Sequence, residues 1–451
     1  MFEKILIANR GEIAARVIRT CRRMGIATVA VHSEADADAP FVRAADEAVA
    51  IGPPLPTESY LVAEKIIAAA KSTGARAIHP GYGFLSESAD FVIACEAAGL
   101  VFIGPDANAM TTLRDKMGAR ERMDEAGLPI IPGSHGNVAS AEEALEVAAR
   151  VGYPVMVKAS FGGGGIGMTM VEDADKLAKA LQKASDRAGR AFGRSEIYVE
   201  KVVPDTHHIE FQVLADHHGN VATLFERECS VQRRQQKIIE ESPSPFITEA
   251  VRADMAARIA AAAGRVGYRN AGTFECLMDG ERHWYFLEIN KRLQVEHPVT
   301  EMVTGLDLVE HQIRIAAGEP LAARVFDAKQ TGHAIEARLY AENPARKFLP
   351  QPGTLTRLEW PEMDGLRVDT GVATGSAITP FYDPLIAKVI AHGDTRERAI
   401  DRLCDALANT RIEGIVTNRD FLIRVLRHPT FASGTYTTAF VEDKLEERVG
   451  E

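Results

Sequence analysis

The 451-residue chain is poor in cysteine. Its five cysteines, Cys21, Cys95, Cys229, Cys276 and Cys404, are odd in number and form no CxxC pair. That argues against a disulfide framework and against a structural zinc site. No run of about 18 apolar residues occurs, so no segment reads as a membrane-spanning helix. The opening MFEKILIANRG carries charges inside its apolar run and no small-residue cleavage site. It does not read as a signal peptide, and the expected location is cytoplasmic. An excess of positive charge is missing too. Lys and Arg number 52 against 63 Asp and Glu, a net charge of −11, which argues against general binding to nucleic acid or anionic membranes. An anionic substrate would then need local basic residues or a metal. The Asn9-Arg10-Gly11-Glu12 turn, where a dinucleotide fold would hold phosphate, lacks the fingerprint GxGxxG, and no Walker-type GKS or GKT occurs in the chain, so neither of the two commonest phosphate loops is read.

What is present centres on Trp284 to Glu301, WYFLEINKRLQVEHPVTE. Its start alternates as a strand, placing Trp284, Phe286, Glu288 and Asn290 on one face and Tyr285, Leu287 and Ile289 on the other. Carboxylates are rarely buried unless paired or metal-bound, so Glu288 and Asn290 read as hard oxygen ligands for Mg²⁺. Upstream, Thr273–Met278 and an Asp279-Gly280 turn predict a hairpin partner carrying Glu275. An even-numbered connecting loop would set Glu275 on the Glu288 face and an odd-numbered one would not. The polar string Lys291, Arg292, Gln294, Glu296, His297 is too charged for a solvated strand end to be the better reading.

Elsewhere, KILIA, a helix over Glu12–Met24 and ATVAVH read strand, helix, strand. With AIHPGYGFLSE and LVFIGP they predict an open α/β domain of about a hundred residues. VGYPVMVKASFGGGGIGMTMV reads as two strands joined by a glycine run, Gly162–Gly167. Such a run is entropically costly to order, so it reads as a flap whose backbone N–H groups approach nucleotide phosphates. His208, Glu210 and Gln212 alternate along a later strand. Arg227, Arg233, Arg234 and Lys237 gather positive charge. Residues 251–272 read as an alanine-rich helix. From residue 332 a third, mixed strand-and-helix domain is expected, ending in helices near Thr395–Asn409 and Asn418–Leu426.

These stretches together resemble the biotin carboxylases, ATP-grasp enzymes, over nearly the whole chain. The resemblance is carried by Ile7-Ala8-Asn9-Arg10-Gly11-Glu12, by His79 to Glu87, and by Lys158 with its glycine run. Glu226 to Ser230 through Lys237, Arg292 to Glu301, and Tyr382 to Lys388 add to it. It implies an α/β and α+β chain with an N-terminal open α/β domain over 1–115 and an ATP-grasp domain over 116–330. A mobile lid would lie near 131–203, and a mixed C-terminal domain over 331–447. It implies a ligase that makes carboxyphosphate and ADP from ATP and bicarbonate, then carboxylates biotin. Lys116, Lys158, His208, Gly163, Gly164 and Gly165 would contact the nucleotide's phosphates. Glu200, Lys201, Val203, Gln232, Gln235 and Leu277 would lie around its base. Glu275, Glu288 and Asn290 would hold Mg²⁺ or Mn²⁺. Lys237, Arg292, Gln294 and Val295 would bind bicarbonate, Glu296 would deprotonate it, Arg338 would steady the biotin enolate, and Tyr82 would lie near the biotin ring.

The chain departs from the usual family pattern at Phe161, Ile166 and Thr169 around the glycine run, at Lys291, expected to bind an anion or point to solvent, and at Gln235. No Met-Lys-Met biotinylation tripeptide occurs. Biotin is therefore expected on a biotin carboxyl carrier protein that also serves a carboxyltransferase, or else the sequence was cut from a longer polypeptide. The resemblance also implies a homodimer. Two rival readings are another ATP-grasp carboxylate–amine ligase and a non-catalytic nucleotide-binding subunit. The first has no need of the Arg292-to-Glu296 string or Arg338, and the second predicts loss of Glu288, Lys237 or Glu296.

Overall fold

The computed structural model describes residues 1–113, 116–160 and 168–446. A parallel sheet forms the N-terminal part. Lys4–Ile7 lies at its centre between Ala27–Ser33 and Ala77–His79, with Glu47–Gly52 and Val101–Phe102 at the edges. Helices cover both faces, so the central strand is apolar throughout. Ile5 and Ile7 pack with Ile13, Val17 and Cys21 of the helix Gly11–Arg23, while Leu6 packs on the other face with Val29, Tyr60 and Phe91. The turn before that helix, where a dinucleotide fold would hold phosphate, is closed by the chain itself. A Cβ on Gly371 would lie 2.2 Å from the Gly11 carbonyl carbon, so only glycine permits this approach.

The second sheet has eight antiparallel strands. In spatial order they are Trp284–Asn290, Asn270–Met278, His207–Ala215, Val221–Arg233, Gln236–Ser242, His333–Tyr340, Leu385–Gly393 and Leu366–Thr370. Gln236–Ser242 pairs with His333–Tyr340, Ile239 opposite Ala337. The strands after residue 331 thus extend the sheet of the preceding region. Strand His207–Ala215 is buried along its whole length. Its odd-numbered side chains Ile209, Phe211 and Val213 join Met255 and Ile259 of the helix Glu249–Arg265 in an apolar core. Its even-numbered side chains His208, Glu210 and Gln212 face the opposite way, as the period of two requires. The expected helix over 251–272 stops early, because Asn270–Met278 is strand throughout; pairing of Asn270 and Ala271 with Ala215 and Leu214 overrides the local alanine-rich signal.

A third sheet of three strands, Thr169–Val171, Val155–Ala159 and Ile197–Lys201, packs on the helices Ala141–Val151 and Ala174–Phe192 with its own small core. Ser140 and Asp173 accept backbone N–H groups at the starts of these helices. Gly162–Gly167, with Phe161 and Ile166, lie outside the described residues. The expected helices near 395–409 and 418–426 are Arg396–Asn409 and Arg419–Leu426. Among the described residues no helix is long and apolar enough to cross a membrane.

Candidate active site

The hairpin departs from regular alternation in a way that builds the site. Met278 pairs with Trp284 and Cys276 with Phe286 across the loop 279–283, whose length is odd. A regular ladder would then set Glu275 opposite Leu287. Instead a β-bulge shifts the register between Cys276 and Glu275, and Glu275 lies opposite Glu288. The bulge also splits the expected face. Trp284, Phe286 and Ile289 all enter the apolar core, whereas Glu288 and Asn290 are half-exposed on the other side. The expectation that the two aromatics share a face with Glu288 and Asn290 is therefore corrected. One extra residue lets the strand bury its aromatics and still deliver both carboxylates to the polar face.

On that face Lys237 is the hub. Its Nζ donates to Glu210 Oε2 at 2.6 Å, Glu275 Oε1 at 2.9 Å and Glu296 Oε1 at 2.6 Å. Glu275 Oε1 also accepts from Asn290 Nδ2 at 2.6 Å and Gln294 Nε2 at 2.8 Å. Gln232 Nε2 donates to His208 Nδ1 at 3.0 Å. That leaves His208 Nε2 to carry the hydrogen facing Glu275 Oε2 at 3.1 Å. Arg292 donates to Gln294 Oε1 at 2.6 Å, to Asn290 Oδ1 at 3.0 Å and to Glu87 Oε2 at 3.2 Å. Arg338 donates to Glu296 Oε2 at 3.0 Å and to Glu240 Oε1 at 2.6 Å.

Three carboxylates around one largely buried ammonium decide the electrostatics. Burial works against the charge of Lys237, but Glu210, Glu275 and Glu296 outweigh it and hold its pKa well above the usual range. Burial pushes Glu296 up, while Lys237, Arg338 and Arg227 pull it down further, so it stays far below the ordinary carboxylate value and ionised. Glu275 is likewise lowered, by Lys237 and His208 against burial. Glu240 goes the other way. Burial raises it to about 7 against the pull of Arg338.

Several residues that sequence reasoning did not assign complete the network. Glu210, noted only for its alternation, is fully buried between Lys237 and Arg227. Arg227 is fully buried and donates to Glu210 at 2.5 Å, Gln212 at 2.9 Å, and Thr273 and Thr300 at 3.0 Å. Glu240 had no signal beyond charge, and Glu87 was marked only as the end of the His79–Glu87 stretch, with no role assigned. Conversely, only two of the four expected cations gather, Arg227 and Lys237 on Glu210. Arg233 pairs with Glu342 at 3.1 Å and stacks over Phe348, and Arg234 sits exposed in a tight turn. Gln235 shares that turn, with φ 66°, and its exposed side chain is outside the network of the described residues. Of the two alternatives for Lys291, the solvent-facing one is excluded. The residue is buried, and its Nζ donates to Leu113 O at 2.6 Å.

The remaining candidates form two flanking groups. Lys116 Nζ lies 3.0 Å from Glu288 Oε2. Lys158 and Arg120 both pair with Glu200 on the three-stranded sheet, while Lys201 Nζ donates to the carbonyls of Gly152 and Tyr153 at 3.0 and 2.8 Å. Val203 follows on the chain after Lys201. Leu277 pairs with His208 across the ladder. Val295 O accepts from Lys388 Nζ at 2.8 Å, and Tyr82 turns its ring toward the same ammonium, 5.8 Å away. Gly163, Gly164 and Gly165 lie outside the described residues. As a donor set, Glu275, Glu288 and Asn290 offer only oxygen from adjacent positions of one sheet, which fits a hard divalent cation rather than zinc. Lys116, Lys237 and Arg292 hold positive charge on these three groups.

Three family models match the chain in order. They are the N-terminal domain of biotin carboxylase over residues 1–110, the ATP-binding domain of the carbamoyl-phosphate synthase large chain over 115–324, and the C-terminal domain of biotin carboxylase over 336–443. Biotin carboxylase of Halalkalibacterium halodurans is 51% identical over 450 residues, covering 100% of this chain and 99% of that one. The chain belongs to the biotin carboxylase family. A relative within a larger subunit is the propionyl-CoA carboxylase alpha chain of Ruegeria pomeroyi, 49% identical over 99% of this chain and 69% of that one. Two solved biotin carboxylases superpose closely. That of Campylobacter jejuni, in a β-γ-ATP complex, has a TM-score of 0.96 at 43% identity, covering 98% of this chain and 99% of that one. The biotin carboxylase domain dimer of Hydrogenobacter thermophilus 2-oxoglutarate carboxylase, with MgADP, ADP and bicarbonate, has a TM-score of 0.94 at 44% identity, covering 98% and 97%.

Proposed function

We propose that this chain carboxylates biotin with bicarbonate at the expense of ATP. The observation that carries the reading is the charge arrangement at Glu296, a buried carboxylate with Lys237 on one oxygen and Arg338 on the other. A ligase that only activates a carboxylate for an amine needs the nucleotide and metal residues but not this base between two cations. Bicarbonate would attack the γ-phosphorus of ATP, releasing ADP and forming carboxyphosphate. Its proton would go to Glu296. Held between Lys237 and Arg338, Glu296 is a weak base. Those are the cations an incoming anion engages, so its basicity rises as they are drawn off. Lys237, Arg292, Gln294 and Val295 bind the bicarbonate, and Arg338 then stabilises the oxygen of the biotin enolate, with Tyr82 beside the ring. Carboxyphosphate would lose phosphate to give CO₂, the phosphate would take the ureido proton, and N1′ of biotin would attack the CO₂ to give carboxybiotin.

Lys116, Lys158, His208 and the run Gly163–Gly165 hold the nucleotide's phosphates. Glu200, Lys201, Val203, Gln232, Gln235 and Leu277 surround its base. Glu275, Glu288 and Asn290 would hold Mg²⁺ or Mn²⁺, which when bound neutralises charge on the phosphoryl oxygens. The division is 1–115 for the N-terminal domain, 116–330 for the ATP-grasp domain with a lid over about 131–203, and 331–447 for the C-terminal domain. The partners are a biotin carboxyl carrier protein and a carboxyltransferase. A homodimer matches the dimeric Hydrogenobacter relative, and the five buried free cysteines suit the cytoplasm.

The test is ADP release with Mg²⁺ and bicarbonate, with and without free biotin, for the parent and Glu296→Ala. The expected result is biotin-stimulated release that the substitution lowers by about 10²–10⁴-fold. Nucleotide binding with no bicarbonate-dependent release would sink the reading and favour a different acceptor.

A further inference from the structure

Lys388, on strand Leu385–Gly393, is 0% exposed. A fully buried ammonium needs compensating partners. Its Nζ donates to Val295 O at 2.8 Å and lies 3.2 Å from Glu12 Oε1. Across the sheet its backbone neighbours are Arg338 and Asp369. The two contacts are unequal. Neither oxygen of Glu12 makes a hydrogen bond among the described residues, so Glu12 offers a nearby charge while the carbonyl takes the directed bond. Burial also raises Glu12 to about 7 despite Lys388.

The carbonyl, in contrast, belongs to the peptide joining Val295 to Glu296. The segment 291–296 runs between strand Trp284–Asn290 and helix His297–Thr304, outside any ladder. It carries Arg292, Gln294 and Glu296. Lys291 N donates to Glu87 Oε1 at 2.9 Å at its start, and Gln294 O contacts His297 Nδ1 at 2.7 Å near its end. Lys388 supplies the anchor at the peptide next to Glu296.

We propose that Lys388 is a positioning residue: by holding the Val295 carbonyl it sets the Val295–Glu296 peptide so that the 292–296 segment presents its bicarbonate-binding groups and its base together. This rests on the biotin carboxylase reading above. The rival role is neutralising the buried carboxyls around it, Glu12 first and with it Glu336 and Asp369.

The test uses the full chain as Lys388→Met, Glu12→Gln and the double variant Lys388→Met/Glu12→Gln, with thermal midpoints measured alongside steady-state kinetics. Removing the lysine alone leaves a buried carboxyl without its cation. The double variant removes that pair but still leaves Glu336 and Asp369 without the Lys388 charge, so it is expected to melt below the parent and above Lys388→Met. Its KM for bicarbonate should still rise about tenfold or more, with kcat lowered, while its KM for ATP stays within about twofold. Glu12→Gln alone should keep the parent's KM for bicarbonate. A double variant with the parent's bicarbonate kinetics would overturn the proposal. So would a Glu12→Gln variant whose KM rises as far as that of Lys388→Met, an outcome readable even if the double variant fails to fold. A parent with no bicarbonate-dependent ADP release defeats the underlying reading. A parent that has it, beside an unaltered double variant, defeats only the role of Lys388.

Discussion

Strands Lys4–Ile7 and His207–Ala215 each lie inside a sheet with neighbours on both sides, yet they are filled differently. The first buries Ile5, Leu6 and Ile7 against apolar cores on both faces. The second buries Ile209, Phe211 and Val213 on one face and His208, Glu210 and Gln212 on the other. Apolar burial is stabilising residue by residue and tolerates local change in proportion to volume. A buried charged face is held only by completeness. Glu210 is affordable because Arg227 and Lys237 both reach it, and Arg227 in turn satisfies Gln212, Thr273 and Thr300. Removing one member strands the others.

Four variants probe that difference. Arg227→Met should be the most damaging, since it leaves Glu210 half-paired in the interior. The expected loss is about 3–5 kcal/mol by urea unfolding, and adding Glu210→Gln should restore part of it, which a double-mutant cycle would read. Leu6→Ala in the parallel sheet should lose about 2–5 kcal/mol, and no second polar substitution should rescue it. If Arg227→Met and Leu6→Ala respond alike to such compensation, the contrast between the two interiors fails.

Glu336→Gln should act in the opposite direction. Glu336 is fully buried, and neither of its oxygens has a hydrogen-bond partner among the described residues. It sits opposite Glu240 across the ladder, with Lys388, Arg338 and Glu296 the other charges acting on it. Burial holds its pKa well above the ordinary 4.5. Its stabilising contribution is complete below pH 4.5 and is lost as pH rises through the folded value. The amide should therefore stabilise the fold on the order of 1–3 kcal/mol at pH 7.5 and not at pH 4, measured as unfolding midpoints at the two pH values. A gain equal at both would mean that the carboxyl does not titrate in the fold. Smallest of all, Lys176→Ala on the exposed pair with Asp173 should leave the thermal midpoint unchanged.

Much of the framework was legible because its signals are local. The helix expected at Glu12–Met24 is Gly11–Arg23, closed at Gly25 with φ 71°. The helix Leu308–Ala316 likewise starts on a local signal, with the Asp307 side chain accepting from Glu310 N. The polar string after Asn290 was legible because no other buried environment accommodates so many charges. What escaped was long-range. The bulge opposite Cys276 and Glu275 has no turn residue to announce it, and its register follows from packing Trp284, Phe286 and Ile289 into one core. The continuity of the eight-stranded sheet past residue 331 depends on pairing between strands about a hundred residues apart, which no local window reports.

The sequence by itself determined which chemical groups the protein has to place, because patterning, caps and the residue types from Glu288 to Glu296 are properties of neighbouring positions. Only the tertiary structure decided which groups meet. Lys237 reaches Glu210, Glu275 and Glu296, Arg338 reaches Glu296 and Glu240, and Lys388 reaches Val295. Those pairings are set by strand register and sheet order. The charge state of Glu296 follows from them, since a carboxylate's pKa answers to the cations within a few ångströms of it rather than to its neighbours along the chain.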